Sequence, residues 1–350
     1  MQDPRKLPSS KTAMLETALN EIEEDPFEGM PWWKRILVRA KNVVKTPPPT
    51  QSELRKAVRN EELAKLKKWL DEGVELDDDT PWLSLATRRT NLALIKLLLD
   101  HGAPAETFDR QTRGAVGRAP MHEASRRGWV AGMEALHEAG ASLESLDDQG
   151  QAPIHIASAR GQIEALRWLI EKGADPAGPR GSANTALHTA KNPEVVSALL
   201  AAGADANRLN ARGDTALHAQ VRLGRASMVK ALLEAGADPN RSNPRGVVPL
   251  AEIGRGEAHE VARALLDAGA DPFLRDEEGN TPLHRAIAKI QDEQVFVLFH
   301  VKYPNVWDES NRLGETLLLR LVSTGHGTLA QRIEADLAGS GRSTMPPSKV

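Results

Sequence analysis

Apolar positions along most of this chain fall in short blocks with helical spacing, separated by polar stretches. In Ile163-Glu164-Ala165-Leu166-Arg167-Trp168-Leu169-Ile170 the large apolar side chains return every three or four residues, which predicts a helix with one buried face. The blocks repeat. A tetrapeptide recurs in front of them as Ala119-Pro120-Met121-His122, Ala152-Pro153-Ile154-His155, Thr185-Ala186-Leu187-His188, Thr215-Ala216-Leu217-His218, Val248-Pro249-Leu250-Ala251 and Thr281-Pro282-Leu283-His284. The starting positions step by 33, 33, 30, 33 and 33 residues. Self-similarity at that period predicts a stack of small units in place of one globular core.

Each unit carries its own start and stop signals. Thr281 suits a helix N-cap, where its hydroxyl can accept a bond from an orphan backbone N–H, and Pro282 suits the first helical position. Gly128, Gly161 and Gly224 end a first helix, and an apolar second helix follows. It closes on glycine at Gly173, Gly203, Gly236 and Gly269, each in a Gly-Ala-Asp stop suited to a left-handed C′ residue. A polar loop such as Asp276-Glu277-Glu278-Gly279-Asn280 reads as a tight turn into the next unit.

The Thr-Pro-Leu-His box, the leucine-rich second helix and the stop, as in Leu232-Leu233-Glu234-Ala235-Gly236-Ala237-Asp238, resemble the ankyrin repeat family. The resemblance implies an all-α repeat solenoid of helix-turn-helix units joined by β-hairpin-like loops, with a concave face that binds partners. Degenerate units extend the array on both sides. Pro81-Trp82-Leu83-Ser84 leads to Leu97-Leu98-Leu99, Ser52-Glu53-Leu54-Arg55 leads to Gly73, and Gly314-Glu315-Thr316-Leu317-Leu318-Leu319 leads to a last helix. About nine units over 51–338 are expected. An N-terminal helical segment with a proline linker fills 1–50, and a disordered tail 339–350. About five extra residues lie around Asp109 to Gly114, and the unit at Thr185 is three residues short, with Lys191-Asn192-Pro193 at its inner turn.

Composition narrows the function. The 350 residues hold 45 Lys and Arg against 48 Asp and Glu, a net charge of -3, which argues against bulk attraction to nucleic acid. With no cysteine, disulfides and thiolate chemistry are excluded. No run is long enough to cross a bilayer, and Met1 to Leu19 lack the apolar stretch of a signal peptide. A cytoplasmic chain, monomeric by itself, is the expectation, with a secreted effector or membrane-peripheral placement as alternatives. No nucleophile elbow, phosphate-binding loop or metal motif is present, so neither enzyme activity nor a cofactor is expected. The run Asp77-Asp78-Asp79 lacks the alternation of a calcium loop and reads as a solvated turn.

The histidines at box position four, His122, His155, His188, His218 and His284, are implied by the resemblance to bond neighbouring backbone and hold the loops. A second ladder is basic. Arg59, Arg88, Arg89, Arg126, Arg127, Arg160, Arg222, Arg255 and Lys289 recur near the ends of first helices, and Arg118, Arg212, Arg245 and Arg312 lie in the loops. Guanidinium groups in register suit a protein partner with an acidic surface. Phe296, Phe299, Tyr303 and Trp307 gather aromatics near the eighth unit, as an enlarged core or a contact patch.

Ahead of the array, Met14, Leu15, Ala18, Leu19 and Ile22 share a helical face. Trp32 and Trp33 then precede Lys34, Arg35, Arg39, Lys41 and Lys45. That segment reads as a cap on the first repeat, a docking helix, or a peripheral membrane contact through residues 31–45. The resulting expectation is a non-enzymatic protein-interaction scaffold. A membrane-associated adaptor docked by Trp32 and Trp33, or an inhibitor or immunity protein blocking an enzyme or toxin, is the alternative.

Overall fold

The computed structural model describes residues 48–109, 117–178 and 183–339. The chain divides into two units, Met1–Thr50 and Gln51–Val350. Of the first, only residues 48–50 are described, and they carry no regular structure. The N-terminal helix, Trp32 and Trp33, the insertion after Asp109 and the tail beyond Gly339 lie outside the described residues.

Among its described residues the second unit is an all-α repeat solenoid of nine repeat units, eight of them pairs of α-helices. The pairs are α1 (Gln51–Arg59) with α2 (Leu63–Asp71), α3 (Trp82–Thr87) with α4 (Leu92–Asp100), and α5 (Pro120–Arg127) with α6 (Val130–Glu138). Next come α7 (Pro153–Arg160) with α8 (Ile163–Glu171), α9 (Ala186–Thr189) with α10 (Pro193–Ala201), and α11 (Ala216–Arg222) with α12 (Ala226–Glu234). In the seventh unit a 3-10 turn, Pro249–Glu252, stands where the first helix would be, ahead of α13 (Ala258–Asp267). The last two pairs are α14 (Pro282–Ala286) with α15 (Glu293–Lys302), and α16 (Leu317–Ser323) with α17 (Gly327–Gly339). α17 ends one residue past the expected boundary at 338, within the ordinary fraying of a helix end.

First helices pack on first helices and second on second, so the core is a continuous seam between two rows. Leu54, Leu94, Met121, Leu166, Leu217 and Leu283 are buried along it. Each full burial of a leucine contributes about 2 kcal/mol, and every unit draws that contribution from its neighbours. Phe296, Phe299 and Trp307 are also buried, with Trp307 on the 3-10 turn Pro304–Asp308 that replaces the eighth stop. The aromatic cluster is therefore core. No strand is assigned among the described residues. The loops are hairpin-like only in having two isolated bridges, Asp109 with Arg118 and Ser310 with Thr316.

Side-chain oxygens shape the loops. Asp147, Asn210, Asn243, Asp276 and Asn311, each five residues ahead of a box, accept two backbone N–H bonds from residues two and four positions on, at 2.9 to 3.1 Å. The turn closes on a glycine with positive φ, 68° at Gly150 and 77° at Gly279, where a side chain would be strained. Asn243 Nδ2 donates to Asp214 at 3.0 Å and Asn311 Nδ2 to Asn280 at 3.1 Å, so successive loops are tied together.

Candidate protein-binding surface

The box histidines join unit to unit. Nε2 lies 2.9 Å from the Gln151 carbonyl at His122, 2.8 Å from Asn184 at His155, and 2.9 Å from Asp214 at His188. The same nitrogen is 2.9 Å from Val247 at His218 and 3.1 Å from Glu315 at His284. Each acceptor belongs to the following loop. Except at His122, Nδ1 accepts the backbone N–H of the first box residue, at 3.1 to 3.3 Å. That pairing requires a neutral ring with its proton on Nε2. Burial pushes all five pKa values below the ordinary histidine value, against the carbonyl bonds that pull the other way. The Thr281 hydroxyl sits 2.7 Å from His284 Nδ1, in place of the orphan N–H expected from the sequence.

The basic ladder splits into two sets. In the first, cations hold buried or half-buried carboxylates. Arg88 reaches Asp109 at 2.5 Å, and Arg118 reaches Asp147 at 3.2 Å. Arg222 bonds Asp214 of its own unit at 2.8 Å and Glu252 of the next at 3.1 Å, and Lys289 returns to Glu252 at 3.4 Å. Arg126 and Arg127 share Glu123 at 2.6 and 3.0 Å. Burial works to raise the pKa of Glu123, Asp214 and Glu252, yet the bonds from these cations, joined at Asp214 by the stronger pull of the Asn243 amide, keep all three below the ordinary value. These cations brace the array, and Arg88, Arg118 and Arg222 cross a unit boundary as they do so.

Arg59, Arg89, Arg160, Arg212, Arg245, Arg255 and Arg312 form the second set. Their side chains are exposed, with no hydrogen bond or ion pair among the described residues. Arg89, Arg160 and Arg255 stand where the first helix turns towards the second. There Arg255 and Lys289 border a cavity of about 540 Å³, with Gly254, Ala288 and Asp292. Arg212 and Arg245 stand at successive loop tips. The division is not visible in the sequence, because the register of the ladder does not show which acids stand near each cation. Asp147 and Asp214 lie in the Asp/Asn-x-x-Gly-x loop ahead of the box, whereas Glu123 and Glu252 directly follow a box. A constant offset of five residues marks that loop, as at Asp147 and Asp276.

Models of ankyrin repeats in several copies match residues 83–180 and 177–243, and a further one matches 255–300, which together exceed half of the chain. The chain belongs to the ankyrin repeat family. Among solved structures it is similar to the ankyrin repeat domain of Bcl-3, a member of the IkappaB protein family. That match has 26% identity and a TM-score of 0.52, and covers 63% of this chain and 99% of that one. The human ASB11 ankyrin repeat domain gives 26% identity and a TM-score of 0.51, over 63% of this chain and 98% of that one. No curated protein matches in sequence. Ankyrin repeat domains are in general protein–protein interaction modules. No helix among the described residues is long and apolar enough to cross a membrane, and none of their side chains cluster as metal ligands would.

Proposed function

We propose that this ankyrin array is a non-enzymatic scaffold that holds an acidic protein partner along its first-helix face and loop tips. The observation that carries this reading is that Arg89, Arg160 and Arg255, at corresponding inner turns, and Arg212 and Arg245, at successive loop tips, are exposed with no side-chain bond among the described residues. A guanidinium with all five donors free offers two parallel bonds to a carboxylate. The braced frame limits the ordering cost of binding, since the loops are already fixed by Asx bonds and the histidine ladder. The membrane-adaptor alternative rests on Trp32 and Trp33, outside the described residues, and no observation favours it.

Affinity capture from the native source with the full chain, beside the variant R89E/R160E/R255E, tests the reading. Loss of acidic partners in the variant, with an unchanged helical circular dichroism signal, is expected. Identical capture by the two proteins sinks the proposal.

A further inference from the structure

The ninth unit exposes apolar side chains at positions that the fourth unit uses to hold its successor. Leu319 stands at the box position of His155, whose Nε2 bonds the next unit at Asn184, and it is 57% exposed. Val322 stands at the position of Ser158, which donates to Ala186 of the next unit at 2.6 Å, and it is 55% exposed. Leu313, at the loop tip where other units place Gln149, Arg212, Arg245 or Glu278, is 83% exposed. An array end that meets only water is expected to be polar there.

The second helix of the same unit obeys that rule. The groove from the fourth unit to the fifth is lined on its near side by Arg167, Ile170 and Glu171. Their counterparts on α17, Gln331, Glu334 and Ala335, are exposed and carry no large apolar side chain. The end face is thus an apolar strip on α16 and its loop beside a polar half on α17. The arrangement of an apolar centre with a polar rim is that of an interface.

We propose that this face joins two copies of the chain end to end about a two-fold axis. A head-to-tail stack would press Leu319 and Val322 against α1, where Glu53 occupies the position of Ala186 and Lys56 is also exposed. Desolvating those charges against leucine and valine is unfavourable, and such a contact would propagate without closing. The two-fold arrangement sets apolar strip on apolar strip. Its rim carries both signs, with Arg320 bonded to Glu315 at 2.8 Å, so two copies do not repel. With only three large apolar side chains at its centre, the interface is a small one, and the dimer is sought at concentrations up to about 100 µM. This assembly is independent of the acidic-partner reading and replaces the monomer expected from the sequence.

Sedimentation velocity of the full chain between about 1 and 100 µM tests it. A monomer–dimer equilibrium is expected, and L319E/V322E should weaken it at least about a hundredfold with an unchanged circular dichroism spectrum. L313E, confined to a loop tip, should weaken it about tenfold and serves as the test if the helical variant unfolds. A monomer at every concentration, a dimer indifferent to these substitutions, or growth beyond the dimer overturns the proposal.

Discussion

Mild acid should unfold this array steeply, because five buried histidines must all be neutral for it to stand. Protonating Nδ1 of His218 would set a second N–H against the backbone N–H of Thr215, now 3.2 Å away, and charge a fully buried ring. The folded-state pKa of each box histidine is lowered, so the folded chain binds fewer protons than the unfolded chain below about pH 6.5. Stability is therefore complete above that pH and falls as the pH drops towards the folded-state values. One such group contributes a slope of at most about 1.4 kcal/mol per pH unit, and five approach about 7. Glu144 works in the opposite direction: burial raises its pKa, so the folded state takes up a proton there before the unfolded chain does. Urea unfolding followed by circular dichroism at pH 7.5, 6.5, 6.0 and 5.5 gives the slope directly. The variant H218Q, which cannot titrate at that site, should lower the slope by about 1.4 kcal/mol per pH unit, whatever its effect on absolute stability. Stability that stays level from pH 7.5 to 5.5, or a slope untouched by H218Q, would refute the account.

Three further outcomes follow from the same geometry. R222A leaves buried Asp214 and half-buried Glu252 without their shared guanidinium and should cost about 2 kcal/mol in thermal or urea unfolding. R160A should stay within about 0.5 kcal/mol, and equal losses would remove the distinction between bracing and free arginines. G224A should destabilise much more than G236A. Both glycines have positive φ, but a Cβ on Gly224 would run into the backbone carbonyl of Arg255, whereas the space beside Gly236 is open. G236A should then lose only about 1 to 2 kcal/mol of backbone strain, and comparable losses in urea midpoints would contradict the close approach. L217D, in the buried seam, should melt at least about 10 °C below a substitution in the exposed end of α17 such as A338D; matching melting temperatures would show that the seam is not where stability resides.

Much of this architecture could be read in advance because the repeat acts on the backbone. The Thr-Pro-Leu-His box, its glycine stops and the leucines of α8 and α12 fix helix ends and buried faces through local chemistry alone, and the sequence displays that chemistry directly. The short unit at Thr185 was visible for the same reason: Asn192 caps α10 through its own Oδ1 at 3.0 Å from Val195 N. The sorting of the arginines was not visible. Whether Arg222 or Arg160 is paired depends on Asp214 and Glu252, which lie 8 residues behind and 30 ahead of Arg222, on loops brought close only by stacking. The exposed strip on α16 was hidden in another way. Leu319 and Val322 look like ordinary core residues until the described chain shows no neighbour over them.

The uneven length of the first helices gives the array a direction of assembly. α5 and α7 each have 8 residues, while α9 has 4, α14 has 5 and the seventh unit has only a 3-10 turn. A helix of one turn cannot nucleate in water, because fixing its first residues yields almost no hydrogen bonds. The first, third and fourth units, whose first helices have 9, 8 and 8 residues, are thus the natural seeds, and the fifth, seventh and eighth form as templated additions, each recruited by the face of the unit before it. In a chain made from its N-terminus, the segments able to start the process emerge before those that depend on it.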